Sequence, residues 1–179
     1  MTLEHLWAGW RGEYVTSTGP LTPGRSEGPA EPPVDDPERC VFCRIAASGP
    51  PTADNGVLWI GDHTYAVINA HPYASGHLMV LPTRHVGSMA DLTESESLEL
   101  WSALRAGVVA LEEAYGPEGI NLGANLGRAA GAGLPRHLHL HAVPRWVGDT
   151  NFMTAVADTR VLPQTLAVTW DQLRRAWPG

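Results

Sequence analysis

The stretch Pro135–Trp146, PRHLHLHAVPRW, constrains this chain more than any other, because it sets a histidine at every second position of an otherwise apolar run. His137, His139 and His141 are three of only eight histidines in 179 residues. A period of two belongs to a β-strand, whose successive side chains leave opposite faces. On such a strand the imidazoles share one face, neighbours about 6.6 Å apart by strand rise, while Leu138, Leu140 and Ala142 share the other. Burying the leucines fixes the register, since a slip of one residue would drive the histidines into the core. A single histidine on an apolar strand is accounted for as a satisfied core residue; three on one face require a chemistry.

Two chemistries use such a row. Neutral imidazoles bind a transition metal. Alternatively, one imidazole attacks a phosphorus atom while its neighbours donate hydrogen bonds to phosphate oxygens, and a covalent nucleotidyl intermediate divides one difficult displacement into two easier ones. The preceding loop, NLGRAAGAG, favours the second: its glycines let backbone N–H groups approach an anion, with Asn125 and Arg128 as polar partners.

The rest of the chain supplies a sheet and helices for that strand. GVLWIGDHTYAVIN reads as two β-rich runs around a Gly-Asp turn, and GHLMVLP as a third strand closed by Pro82. TESESLELWSALRAGVVALEEAY reads as a long helix with Thr93 as N-cap and Glu96 completing a capping box. Leu100, Leu104, Val108 and Leu111 form its core stripe, and GPEG ends it. INLGANLG reads as a strand running into a loop, and an amphipathic helix over about 163–176 closes the chain. The expected class is α+β, a mostly antiparallel sheet with one long helix and a C-terminal helix.

Residues 16–39 are rich in Pro, Gly, Ser and acids and have almost nothing to bury, which predicts a flexible linker. Before it, Leu3, Leu6, Trp7, Trp10 and Tyr14 fall at helical spacing, so 1–15 is expected to be a docking segment over the core or a dimer seam, or else to act at the active site. Residues 40–179 form the expected domain. A formal charge of −7 without a Lys/Arg run argues against broad binding to nucleic acid or an anionic membrane. No apolar stretch approaches a membrane span and no leader pattern opens the chain, so the expected location is the cytoplasm. Cys40 and Cys43, the only cysteines, stand at a spacing that fits a metal half-site, a redox pair or coincidence.

HLHLHAV followed by PRW resembles the His-x-His-x-His signature of the histidine-triad (HIT) family of nucleotide hydrolases and transferases. YAVINAHPYASGHLMVLPTRHV resembles that family's first-half nucleotide-pocket segment, NLGRAAGAG its phosphate loop, and CVFC its zinc-binding branch. Together with NLGANLG, GDTNFM and the N-terminal LWAGWR, the chain is most similar to actinobacterial-type diadenosine tetraphosphate phosphorylases and hydrolases.

The resemblance implies an HIT-like fold and a reaction. His139 would be the nucleophile that accepts a nucleoside monophosphate group, its other nitrogen held as N–H by a backbone carbonyl; His141 would bond phosphate oxygens, with His137 as the third member. Asn125 and the backbone around Gly131 to Gly133 would stabilise charge at phosphorus. Asn69 stands at the ribose-contacting position, against a plain reading as a strand-end asparagine satisfying a turn. His77 also matches a family pattern but is read as structural. Cys40, Cys43, His85 and His137 match a closed Cys₂His₂ set, which implies a structural zinc and no organic cofactor; His85 as a surface residue or a phosphate contact is the alternative. Many family members carry Gln or Ser where this chain has Gly133, so the leaving-group step lacks its usual side chain, with Arg128 or Arg136 as candidate replacements. The expected substrate is a dinucleoside polyphosphate, with a nucleoside phosphoramidate or a nucleotide sugar as alternatives and a homodimer as the expected assembly. The competing readings are a catalytic metal bound by the histidines and a non-catalytic nucleotide sensor.

Overall fold

The computed structural model describes residues 37–149 and 163–178. The expected docking segment, most of the linker and the GDTNFM motif beyond Asp149 lie outside those residues. In order, the elements are helix α1 (Val41–Ala46), strands β1 (Val57–Ile60), β2 (Thr64–Ile68) and β3 (Leu78–Pro82), helix α2 (Glu94–Tyr115), strands β4 (Gly119–Gly123) and β5 (Leu140–Arg145), and helix α3 (Leu166–Ala176). The strands make one five-stranded sheet in the order β1-β2-β3-β5-β4, with every neighbouring pair antiparallel. This is the α+β architecture expected from the sequence.

Alternation along the strands divides the core in two. Ala66, Ile68, Leu78, Val80, Leu140 and Ala142 pack with Leu100, Leu104 and Leu111 of α2 and Leu173 of α3. Tyr65, Val67, Met79 and Leu81 face the other way and pack with Cys40 and Phe42. Because β2 and β3 are covered on both sides, each is buried along its whole length. That explains why YAVI and LMVL read as continuous apolar runs.

Several local devices fix these elements. Thr93 and Glu96 form the expected capping box at the start of α2, and Gly116 ends the helix in the left-handed conformation (φ 52°). The Glu96 carboxylate also accepts from Arg84 Nε (2.7 Å) and Nη2 (2.8 Å), tying the end of β3 to the helix start. Farther along, the Glu99 carboxylate accepts from the His63 and Thr64 N–H groups (both 3.1 Å) and so holds the β1–β2 turn. Gly76 holds φ +88°, which strains any other residue, and a Cβ there would press on the Tyr115 ring at 3.0 Å and Leu111 at 3.1 Å.

Three expectations are refined. Val108 is only half-buried, at the flank of the core stripe. Helix α3 starts at Leu166, because the Thr165 hydroxyl accepts from the Val168 N–H (3.4 Å) and caps it there. Regular pairing of the histidine strand begins at Leu140, so His137 and His139 lie in the segment that enters it. Among the described residues no helix is long and apolar enough to cross a membrane.

Candidate active site and metal centre

Entry into β5 is guided by a backbone bond from Leu138 N–H to the Val86 carbonyl (2.7 Å). Leu138 then turns into the helix-side core, and the imidazoles of His137, His139 and His141 turn to the face covered by α1. The co-facial reading therefore holds although His137 and His139 precede the strand. Residue spacing is not kept by the rings: His139 and His141 are 5.0 Å apart at 81°.

The hydrogen bonds assign a tautomer to each imidazole. His139 Nδ1 lies 2.8 Å from the His137 carbonyl, which only accepts, so Nδ1 carries the proton and Nε2 keeps its lone pair. The Tyr73 N–H donates to His77 Nδ1 (3.0 Å), which puts the His77 proton on Nε2. That Nε2–H donates to His141 Nδ1 at 2.9 Å, which leaves His141 as an Nε2–H donor. His141 Nε2 is buried without a hydrogen-bond partner. An orphaned buried donor is costly, and an anionic ligand would satisfy it. Burial, with the adjacent His139 charge adding to it, lowers the His141 pKa to about 4, so it is a neutral donor at physiological pH.

His137 is committed elsewhere. Its Nε2 donates to the Pro82 carbonyl (2.9 Å), and its Nδ1 faces Cys40 Sγ at 3.4 Å and Cys43 Sγ at 3.5 Å. Both ring nitrogens are engaged, and what His137 offers the site is its backbone carbonyl. Cys43 Sγ also lies 3.3 Å from His85 Nδ1. The ligand atoms of Cys40, Cys43, His85 and His137 all fall within 4.8 Å of one another, with both cysteines free. Tetrahedral Zn–S and Zn–N bonds of about 2.3 and 2.05 Å would place S and N about 3.6 Å apart, close to these separations. Burial first, then the neighbouring Cys40, pushes the Cys43 thiol up to about 11; a bound cation would reverse that preference. Burial likewise lowers His137 to about 4, the neutral form that ligates, and its bond to a backbone carbonyl is the usual support for a ligating imidazole. The residues fit a divalent cation in a closed set of four.

The other expected residues surround this pair of centres. Asn69 directly follows β2; its Oδ1 accepts from the His71 N–H (2.9 Å) and its Nδ2 lies 3.4 Å from the His77 ring nitrogens. It therefore satisfies a turn and also stands beside the imidazole chain. Asn125 is half-buried in the loop between β4 and the short 3₁₀ turn Arg128–Ala130. Within the loop, the Gly131 and Ala132 N–H groups are bonded to the Arg128 and Gly127 carbonyls (2.9 and 3.2 Å), while that of Gly133 is in neither bond. A Cβ at Gly133 would meet nothing within 4 Å and its φ is not positive, so neither packing nor backbone imposes glycine there. Arg128 and Arg136 both have further interactions in the structure.

Sequence reasoning missed two aromatic residues and undervalued His77, which bonds directly to His141 rather than only within the sheet. Tyr73 is 49% exposed, stacks on His141 (5.9 Å, 29°) and meets His77 at a tilt (4.5 Å, 48°). Phe42 reaches the His137 and His139 rings from α1. The visible signal for Phe42 was its place between two cysteines.

Comparisons with known proteins show the family. The HIT domain family model matches residues 52–147. The AP-4-A phosphorylase of Mycobacterium tuberculosis is 38% identical over 98% of this chain and 85% of its own. The asymmetrical bis(5'-nucleosyl)-tetraphosphatase of Schizosaccharomyces pombe is 34% identical over 47% of this chain and 46% of its own. Among solved structures, a zinc-bound histidine triad family protein from Mycobacterium smegmatis superposes with a TM-score of 0.64 at 25% identity, covering 79% of this chain and 95% of that one. The chain belongs to the HIT family.

Proposed function

We propose that this protein, a nucleotide enzyme of the HIT family, cleaves dinucleoside polyphosphates through a covalent nucleotidyl-His139 intermediate, with inorganic phosphate as the acceptor. The observation that carries the reading is the pairing of tautomers: a His139 Nε2 lone pair beside a His141 Nε2–H donor that has no partner. Relatives named for AP-4-A phosphorolysis and tetraphosphate cleavage support the substrate class.

In the first step the His139 Nε2 lone pair attacks the α-phosphorus. A P–N bond forms, the bridging P–O bond breaks, and the nucleoside polyphosphate leaves with the electron pair. Positive charge that develops on the imidazole is stabilised through Nδ1–H by the His137 carbonyl, and His141 donates to a non-bridging oxygen. Asn69 is assigned to the ribose, and Asn125 with the Gly131–Gly133 backbone to the phosphates. In the second step a phosphate oxygen attacks the same phosphorus, the P–N bond breaks, and a nucleoside diphosphate is released. Zinc is the metal we assign to Cys40, Cys43, His85 and His137. Bound there, it supplies a structural tie between α1 and the nucleophile's segment, and the four protein ligands leave no position for substrate. The assembly we assign is a homodimer: Leu98 and Trp101 of α2 (64% and 56% exposed) and Leu122 of the edge strand β4 (50%) form the proposed seam.

The test is to incubate the purified protein with diadenosine tetraphosphate, with and without inorganic phosphate. ATP and ADP formed only with phosphate agree with the proposal. ATP and AMP formed without phosphate would make water the acceptor, and no cleavage would refute the substrate class.

A further inference from the structure

We propose that Phe42 is a positioning residue that transmits the seating of the metal centre to the nucleophile. This rests on the reading of His139 as nucleophile. Phe42 stands between Cys40 and Cys43, is 7% exposed, and lies against two imidazoles at once. Its ring is 5.5 Å from His137 at 78° and 5.1 Å from His139 at 50°. Metal ligation asks nothing of the residue between two cysteines; packing against Tyr65, Val67, Met79 and Leu81 explains why it is apolar, and the contact with the His139 ring goes beyond both.

The His139 ring is held only in part. Its bond to the His137 carbonyl fixes one atom, Nδ1, about which the ring can still tilt. The remaining tilt is limited by neighbours: His141 at 5.0 Å on β5 and Phe42 on α1. The His141 wall is built into the sheet. The Phe42 wall stands on a six-residue helix that has no side-chain cap and no acidic residue in its first turn. A helix that short is not stable by itself.

Packing of Cys40 and Phe42 against Tyr65, Val67, Met79 and Leu81 seats one side of it, and two polar ties hold it as well. The Tyr65 hydroxyl, fully buried, donates to the Phe42 carbonyl at 2.9 Å. The second tie is the cysteine pair that brackets Phe42 and faces His85 and His137. Core packing places the Phe42 ring, occupancy of the metal centre trims the set of α1 that carries it, and that ring limits the angle at which Nε2 of His139 meets phosphorus. An error of this kind lowers the rate of the chemical step without weakening substrate binding.

The test compares the zinc-loaded wild-type protein with Phe42→Ala and Phe42→Leu, with zinc content measured in each. Imidazole ¹⁵N NMR on the resting proteins, with His139 assigned through His139→Gln, reads its tautomer and the exchange of its Nδ1–H with solvent. The expected result is at least tenfold faster exchange in both variants at unchanged zinc content. A tenfold or larger fall in kcat with KM within about threefold should accompany it. Phe42→Leu retains apolar volume, so it decides the matter if Phe42→Ala fails to fold or to hold zinc. Unchanged exchange in Phe42→Leu would overturn the proposal, as would a raised KM at constant kcat, which would make Phe42 a wall of the substrate pocket. Since exchange is read without substrate, failure here is distinguishable from failure of the dinucleotide reading.

Discussion

At the scale of single residues, the site is a set of proton positions. Three backbone groups, the carbonyls of Pro82 and His137 and the N–H of Tyr73, determine which nitrogen of His137, His139, His77 and His141 is bare. The triad's alternation made His139 and His141 legible in the sequence, because period-two spacing maps directly onto a face. What it could not carry is the tautomer, which depends on carbonyls whose positions come from tertiary structure. His77 shows the difference: read as a structural, hydrogen-bonded histidine, it is hydrogen-bonded, and the partner the sequence could not name is His141. His77→Ala is therefore expected to lower kcat about ten- to a hundredfold with KM within threefold, less than loss of a transition-state donor outright can cost. Steady-state kinetics check this, and unchanged kcat would remove His77 from the chain of donors.

At the scale of elements, two ties hold the framework, and each has a distinct signature. Hydrogen bonding from Arg84, opposed by burial and helped by the Thr93 backbone, lowers the Glu96 pKa to about 2. Its stabilising effect is complete above the ordinary carboxylate pKa of about 4.3 and is lost as pH falls toward 2. Glu96→Gln is expected to cost about 1 kcal/mol at neutral pH and to flatten the acid limb of stability between about pH 5 and 2, as measured by urea unfolding across pH. An acid limb equal to that of the parent would contradict this. The capping box was legible because its signature is local in sequence, whereas Arg84 as its partner depends on how β3 meets α2. The second tie is the metal centre. Chelation of zinc from the loaded protein is expected to lower Tm by several degrees and to expose α1 to proteolysis; an unchanged Tm would argue against a structural cation.

At the scale of the whole molecule, the fold brings four separate stretches of chain together: CVFC, the end of β2, β3 with the PTRH that closes it, and the triad. Their ligand and nucleophile chemistries meet at His137, whose ring faces the cysteines while its carbonyl holds His139. The long helix was legible from its period and its capping box, and β2 and β3 as continuous apolar runs; the six-residue α1 was not, being too short to carry a period, and neither was the division of roles within His137, since one residue serves both centres through different atoms. The proposed seam makes a separate expectation: Trp101→Glu should convert a dimer to a monomer in light scattering at unchanged secondary structure, and a wild-type monomer would exclude the seam. The central claim is the covalent intermediate, and the most direct measurement is mass spectrometry of protein quenched early in its reaction with diadenosine tetraphosphate without phosphate. A nucleoside monophosphate adduct on His139 that phosphate discharges is the result this account expects. Cleavage with no adduct at any quench time, or turnover that survives His139→Ala, would contradict it.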